Sequence, residues 1–229
     1  MTVAAIVDHV AMHVEDSPFP ATWCGTDLMA AGVSLRPRAG TYGHYEYGDL
    51  PALPFELRGD FAWLDRQRPH EKWPILGNAD ASLPALIAAC SHASLALPPP
   101  FVQFLGSADR QRRVRSSTAC FVDLDVTPVP APTGRGHLIR FLADQQGCVY
   151  WYLYLAAEGG DHAVVSSAGF YGTDDEDEDD VTIDFNAESF EAFMCRFWLE
   201  NEIWFAATGG TPMPEGGDEY IARYHAASA

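Results

Sequence analysis

The sequence predicts an α+β fold, an antiparallel meander sheet packed against helices, preceded by an irregular N-terminal extension. Three observations point to it. Residues 137–143 and 148–156 are two apolar runs joined by Asp144-Gln145-Gln146-Gly147, which reads as a hairpin. A third run at 162–167 follows the Glu158-Gly159-Gly160-Asp161 turn, so a meander is the economical topology. Residues 188–207, ESFEAFMCRFWLENEIWFAA, place Phe190, Phe193, Met194, Phe197, Trp198, Trp204 and Phe205 on one broad helical stripe. A chain of 229 residues with 48% hydrophobic content can bury a sizeable core. The expected division is 1–80 as an extension packed on the core and 81–229 as the α+β domain.

Along the chain, Val3, Ile6, Val7, Val10 and Val14 have helical spacing and predict a short first helix. His9 and His13 stand four apart in it, but no third ligand accompanies them, so surface or half-buried histidines are the simpler reading. From 17 to 80, Pro18, Pro20, Pro37, Pro51, Pro54, Pro69 and Pro74 break any long helix and leave short strands and loops. Tyr42, Tyr45 and Tyr47, then Phe55, Phe61, Trp63 and Trp73, imply that this stretch still packs on something. His44 and Glu46 share one face of the aromatic strand that begins at Tyr42, and the strand alone accounts for them.

Ser82 predicts the N-cap of a helix over about 83–93, with Pro84 in its first turn. The Leu97-Pro98-Pro99-Pro100 lead-in then opens a short helix that stops at Gly106. Residues 110–115 hold four of the fourteen Lys and Arg side chains. A strand is expected over 118–124 and a Pro-rich loop over 125–136. In the hairpin, Ile139, Phe141, Cys148, Tyr150, Tyr152 and Tyr154 are assigned to one face. Leu138, Leu142, Val149, Trp151, Leu153 and Leu155 take the other, and both faces are apolar enough to be covered. Residues 181–185 read as a last strand, with Asn186 capping the long helix. Asn201 falls inside that helix's stripe and needs buried hydrogen-bond partners. A second patch of Ala192, Leu199 and Ile203 calls for another cover, the extension being the obvious one.

The net charge of −18 argues against nucleic acid, whose phosphates need clustered cations, and against an acidic membrane surface. It favours a basic partner. Asp174, Asp175, Glu176, Asp177, Glu178, Asp179 and Asp180 supply seven of these charges and read as a solvated loop. The run lacks the glycine and terminal glutamate of an EF-hand, though it permits capture of a basic partner. Five cysteines without a Cys-x-x-Cys pair or a signal peptide point to a reducing cytoplasm, with Cys120, Cys148 and Cys195 as buried core thiols. No apolar run reaches membrane-span length.

The Leu97-Pro98-x-x-Phe101-x-x-Phe104-Leu105 helix is followed by a strand and by Phe141-Leu142-Ala143-Asp144-x-x-Gly147 feeding an aromatic strand. With the acidic loop and the Ser189-Phe190-Glu191-x-Phe193 helix, this order over residues 82–207 resembles the SUKH superfamily. That group includes fungal cell-wall regulators of the Knr type and bacterial immunity proteins that neutralise toxins. It departs from the family's pattern at Gly106-Ser107-Ala108-Asp109, where a Gly-rich stretch is usual, and in its long N-terminal part. The resemblance implies a non-enzymatic protein-binding domain without a cofactor, an immunity protein or a regulatory scaffold. Its expected contact surface combines Tyr150, Tyr152 and Tyr154 with Asp174, Asp175, Glu176 and Asp177, and its expected partner is a protein such as a basic toxin. The alternative is a metal-dependent hydrolase using Asp123, Asp125 and Asp144. Asp123 and Asp125 point the same way in a strand, but no base or nucleophile stands at a fixed spacing from them.

Overall fold

The computed structural model describes residues 11–33, 42–157, 161–172 and 182–227. Strands β1 (Thr22–Thr26) and β2 (Tyr42–Glu46) form a two-stranded antiparallel ribbon. Four short helices follow, α1 (Ala62–Asp65), α2 (Ala79–His92), α3 (Pro99–Leu105) and α4 (Ala108–Arg112). The strands β3 (Phe121–Val122), β4 (Val129–Pro130), β5 (His137–Ala143), β6 (Tyr150–Leu155), β7 (His162–Ser167) and β8 (Ile183–Ala187) make one antiparallel sheet in the order β3-β5-β6-β7-β8, with β4 also on β5. Helices α5 (Phe190–Gly209) and α6 (Gly217–Ala227) close the chain. The class is α+β, as the two periodicities predict.

Helix α5 organises the core. Ser189, not Asn186, is its N-cap, its Oγ accepting from Ala192 N at 3.2 Å. Asn186 is instead buried in β8, where its side chain joins Trp151 Nε1 to the Thr22 carbonyl. Residues 190–203 of α5 are buried on every side, so the expected stripe is only part of what is covered. Phe190 meets Phe101, Phe104 and Phe141, while Phe193 meets Trp23 and Trp151. Ala192, Leu199 and Ile203 lie in the same apolar cluster, and α5 touches β1, the 3-10 turn Met29–Ala31 and α6.

The opposite sheet face carries a second cluster of Leu138, Tyr152, Tyr154, Val165 and Phe185, roofed by Met12, Phe19 and Val129. Met12 N donates to the His162 and Glu188 carbonyls, and Ala11 bridges His162 in parallel. Residues 11–13 are therefore extended along the sheet, where a helix was expected, and only Val14–Asp16 makes a 3-10 turn. Residues 1–10, including His9, lie outside the described residues.

Further corrections have local causes. Helix α2 begins at Ala79, so Ser82 is buried inside it rather than capping it. Asn78, the residue before it, spends its side chain on Leu124, accepting from its N at 2.7 Å and donating to its carbonyl at 3.0 Å. The strand expected over 118–124 shrinks to two residues because the Ser116 hydroxyl accepts from Thr118 N and Cys120 N and folds the chain into a turn. A bulge between Arg140 and Leu142 reassigns β5. Leu138 and Arg140 pair with Tyr154 and Tyr152, while Ile139 and Phe141 join the α5 face. Cys148 is exposed, whereas Cys24, Cys90, Cys120 and Cys195 are buried free thiols. No helix of the described residues is long and apolar enough to cross a membrane.

Candidate functional site

A cleft of about 450 Å³ opens where the Asp144–Gln146 hairpin turn, the 116–119 loop, Trp73 and the end of α5 meet. Each wall has an identifiable anchor. Pro74 bridges Arg115 in antiparallel fashion, and Ser116 N donates to the Trp73 carbonyl at 3.0 Å, so residue 73 is fixed beside the loop. Trp73 is nonetheless 58% exposed and sits at φ +64°. Ala119, on the loop, sits at φ +58°. Left-handed backbone at a non-glycine residue costs about 1–3 kcal/mol and persists only where the surroundings enforce it. Two such residues line this one cleft.

Helix α5 supplies the loop's second anchor. Asn201, 0% exposed, accepts from Ser117 N at 2.7 Å and donates to the Phe197 carbonyl at 2.9 Å. The buried asparagine thus finds the partners its position demands. Trp204 and Phe205, one turn further on, form the aromatic wall. Behind Phe205, the Arg115 guanidinium lies 3.9 Å from the ring centroid and forks onto Glu202 with two bonds of 2.7 Å. His70 Nε2 completes this pair at 3.1 Å from Glu202 Oε1. Burial alone would raise the Glu202 carboxyl, but the bonds from His70 and Arg115 prevail and hold it below its ordinary value.

On the hairpin side Asp144 is 5% exposed. Its Oδ1 accepts from the Tyr42 hydroxyl at 2.7 Å, and its Oδ2 from Gln146 N at 2.9 Å and Cys148 N at 3.2 Å. Those three bonds leave about one of a carboxylate's four lone-pair sites free. Among the described residues no Arg, Lys or His forms an ion pair with it. The Tyr42 hydroxyl also lies 3.0 Å from Thr118 Oγ1 and 3.4 Å from Cys120 Sγ. Burial and the neighbouring Cys120 push the Tyr42 phenol far up, and burial does the same to the Cys120 thiol, so both stay protonated at neutral pH. The Ser117 hydroxyl is buried without a hydrogen-bond partner. Among the described residues no histidine or lysine lines the cleft to activate any of these hydroxyls.

Of the residues proposed from sequence that are among the described residues, only Asp144 lines this cleft. Tyr152 and Tyr154 are 0% and 2% exposed, which corrects the expected tyrosine contact face. Their hydroxyls are consumed internally. Tyr152 donates to the Gly169 carbonyl and accepts from Tyr171 N, and Tyr154 donates to the Arg135 carbonyl at 2.6 Å beneath the Phe19 ring. Tyr150 is half-buried against Phe170. Asp174, Asp175, Glu176 and Asp177 lie outside the described residues.

Asp123 and Asp125 do share a side, but Arg140 occupies it, at 2.8 Å and 3.5 Å. Asp144 binds Tyr42 instead, so the three carboxylates proposed for a metal-dependent hydrolase are not brought together. No group of three His, Cys, Asp or Glu among the described residues could hold a metal ion. A second cleft of about 350 Å³, between Arg66–His70 and Pro212–Glu215, contains Glu202, whose charge Arg115 already balances. Comparison of the chain with family models, with characterised proteins and with solved structures returned no match.

Proposed function

We propose that the chain is a non-enzymatic protein-binding domain of the immunity-protein or regulatory-scaffold kind, and that it holds a basic partner at the Trp73–Asp144–Trp204 cleft. The carrying observation is Asp144, a buried carboxylate beside open space with no cation paired to it among the described residues. A buried charge is ordinarily paired, so the missing positive group is assigned to the partner. Trp73, Trp204 and Phe205 around it are of the residue types that dominate binding energy at protein interfaces. The hydroxyls there lack an activating base, which supports binding over hydrolysis.

The net charge of −18 adds a field that speeds encounter with a basic protein such as a toxin. The acidic run 174–180, with Asp174, Asp175, Glu176 and Asp177, joins the chain between β7 and β8. The strand ends Ser167 and Ile183 face each other there, and Ser167 pairs with Tyr150 just beyond the 144–147 turn. The resemblance to the SUKH superfamily and the four buried free thiols suit a cytoplasmic protein of this kind.

The test is site-specific photo-cross-linking in the native cell, with a benzophenone side chain placed at residue 204 and, as control, at exposed Ile87. The expected result is one adduct from 204, to a protein with a basic surface, that fades with added salt. Equal adducts from both positions, or an acidic partner, would reject the reading.

A further inference from the structure

We infer that the cleft is a receptor for a single arginine side chain of the partner, its guanidinium set against Asp144 and flanked by the Trp73 and Trp204 rings. This inference rests on the binding reading above and adds the chemistry of the group captured. Four observations select it.

The first is charge. Asp144 has about one lone-pair site left and no cation among the described residues, so the incoming group must be a positively charged donor. The second is shape and polarity. Exposed Trp73 and half-buried Trp204 and Phe205 offer aromatic faces, on which a guanidinium stacks more readily than an ammonium. This fold already uses that contact, with Arg115 on Phe205 at 3.9 Å and Arg140 on Phe170 at 4.1 Å. The third is the supply of further acceptors. Gln145 and Gln146 are exposed and line the same cleft, and each carries an amide oxygen that can accept, so further N–H donors of one guanidinium have somewhere to go. The fourth is rigidity. The left-handed backbone at Trp73 and Ala119, together with the Asn201 anchor on Ser117 N, holds the walls in place before anything binds.

Arg115 packs against the cleft wall through Phe205, and it does not oppose the ligand because its charge is spent on Glu202.

The test uses the full chain and three neutral-capped tripeptides, Ac-Gly-Arg-Gly-NH2, its lysine counterpart and its citrulline counterpart, with maltose as a polar uncharged control. Binding is read from the indole N–H resonances of Trp73 and Trp204, assigned through Trp73→Phe and Trp204→Phe. The arginine peptide should shift both resonances saturably, and the citrulline peptide should bind about tenfold more weakly or not at all. Asp144→Asn should lower arginine affinity by a similar factor. Should that variant fold poorly, Trp204→Leu leaves the 144–147 turn intact and is expected to weaken the arginine peptide too. Citrulline equal to arginine, lysine tighter than arginine, or maltose moving the same resonances would each overturn the inference. A cross-linked partner at residue 204 with no response to the arginine peptide sinks this inference alone. An arginine response with the partner cross-linked elsewhere sinks the binding reading instead.

Discussion

Deleting residues 1–80 removes far more than a decoration. Trp23, Leu28, Phe61, Leu64 and Ile75 are each 0% exposed and belong to the cluster built on α5. Burial of a large apolar side chain is worth about 2 kcal/mol, so these five account for about 10 kcal/mol, against a net domain stability of about 5–15 kcal/mol. The deletion also takes hydrogen-bond donors from two buried carboxyls on α5. Glu191 loses Gly59 N and Phe61 N, at 2.5 Å and 2.8 Å, and Glu200 loses Trp23 Nε1 at 2.8 Å. The fragment 81–229 is expected to aggregate, or to bind a hydrophobic dye and unfold without a cooperative transition. Size-exclusion chromatography with a urea titration followed by tryptophan fluorescence reads both. A monomeric fragment that unfolds cooperatively at the full chain's midpoint would refute the reasoning.

Three other outcomes are expected. Asn201→Ala takes the acceptor from the part-buried Ser117 N–H and should cost about 1–2 kcal/mol in chemical denaturation, with loss of the arginine-peptide response because the loop is released. Gly77→Ala would place a Cβ 1.7 Å from the Val122 carbonyl oxygen, so the 75–78 and 122–124 segments must separate. Its thermal midpoint should fall by several degrees, whereas Gly134→Ala, with open space around its Cβ, should lose only the strain of its φ of +70°. The carboxyls of Glu202 and Glu200 should respond to pH with opposite sign. Glu202 is held low, so its contribution is present above the unfolded carboxyl range and is lost as pH falls through its lowered value. The penalty of Glu202→Gln should therefore shrink in acid. Glu200 is raised by burial, against the pull of Arg196, Trp23, Tyr220 and Tyr224. Its contribution is present in acid and lost as pH rises through the raised value, so Glu200→Gln should gain on the wild type at higher pH. Urea midpoints measured across pH decide both.

Much of the fold is written locally. The Pro98-Pro99-Pro100 lead-in and Gly106 bound α3, the turn at 144–147 fixes the hairpin, and Phe190 to Phe205 mark α5. What stayed hidden depends on distant parts of the chain. The Tyr152 and Tyr154 face is closed by Met12 and Phe19, which lie more than a hundred residues earlier, and no period in β6 reveals that roof. One bulge at Phe141 is enough to move Leu138, Ile139 and Phe141 to the faces opposite those expected, while Leu142 keeps its own. Helix α6 carries little sequence signal because, among its described residues, the buried side chains are Tyr220 and Tyr224, held through their hydroxyls by Glu200, at 2.8 Å and 3.0 Å. Spacing four in Tyr220 and Tyr224 was the available signal.

The site was legible in part. Asp144 stands out in the sequence as a carboxylate at the start of a turn, a position that suggests metal chemistry. Trp204 and Phe205 were visible at the end of the α5 stripe, but as core residues. Trp73 and the 116–119 loop were not legible as a site. Their place follows from left-handed backbone at Trp73 and Ala119, which nothing in those residue types announces. The run Ser116-Ser117-Thr118, between arginines and an apolar segment, was the one compositional hint, since consecutive hydroxyls favour turns over strands.

The most direct test of the binding account is amide hydrogen exchange on the full chain, alone and with the partner cross-linked at residue 204. The account predicts new protection across residues 116–119, 144–147 and 204–206, with little change in the buried amides of β6 and β7. Protection confined to other surfaces, with these three segments exchanging as in the free chain, would contradict it.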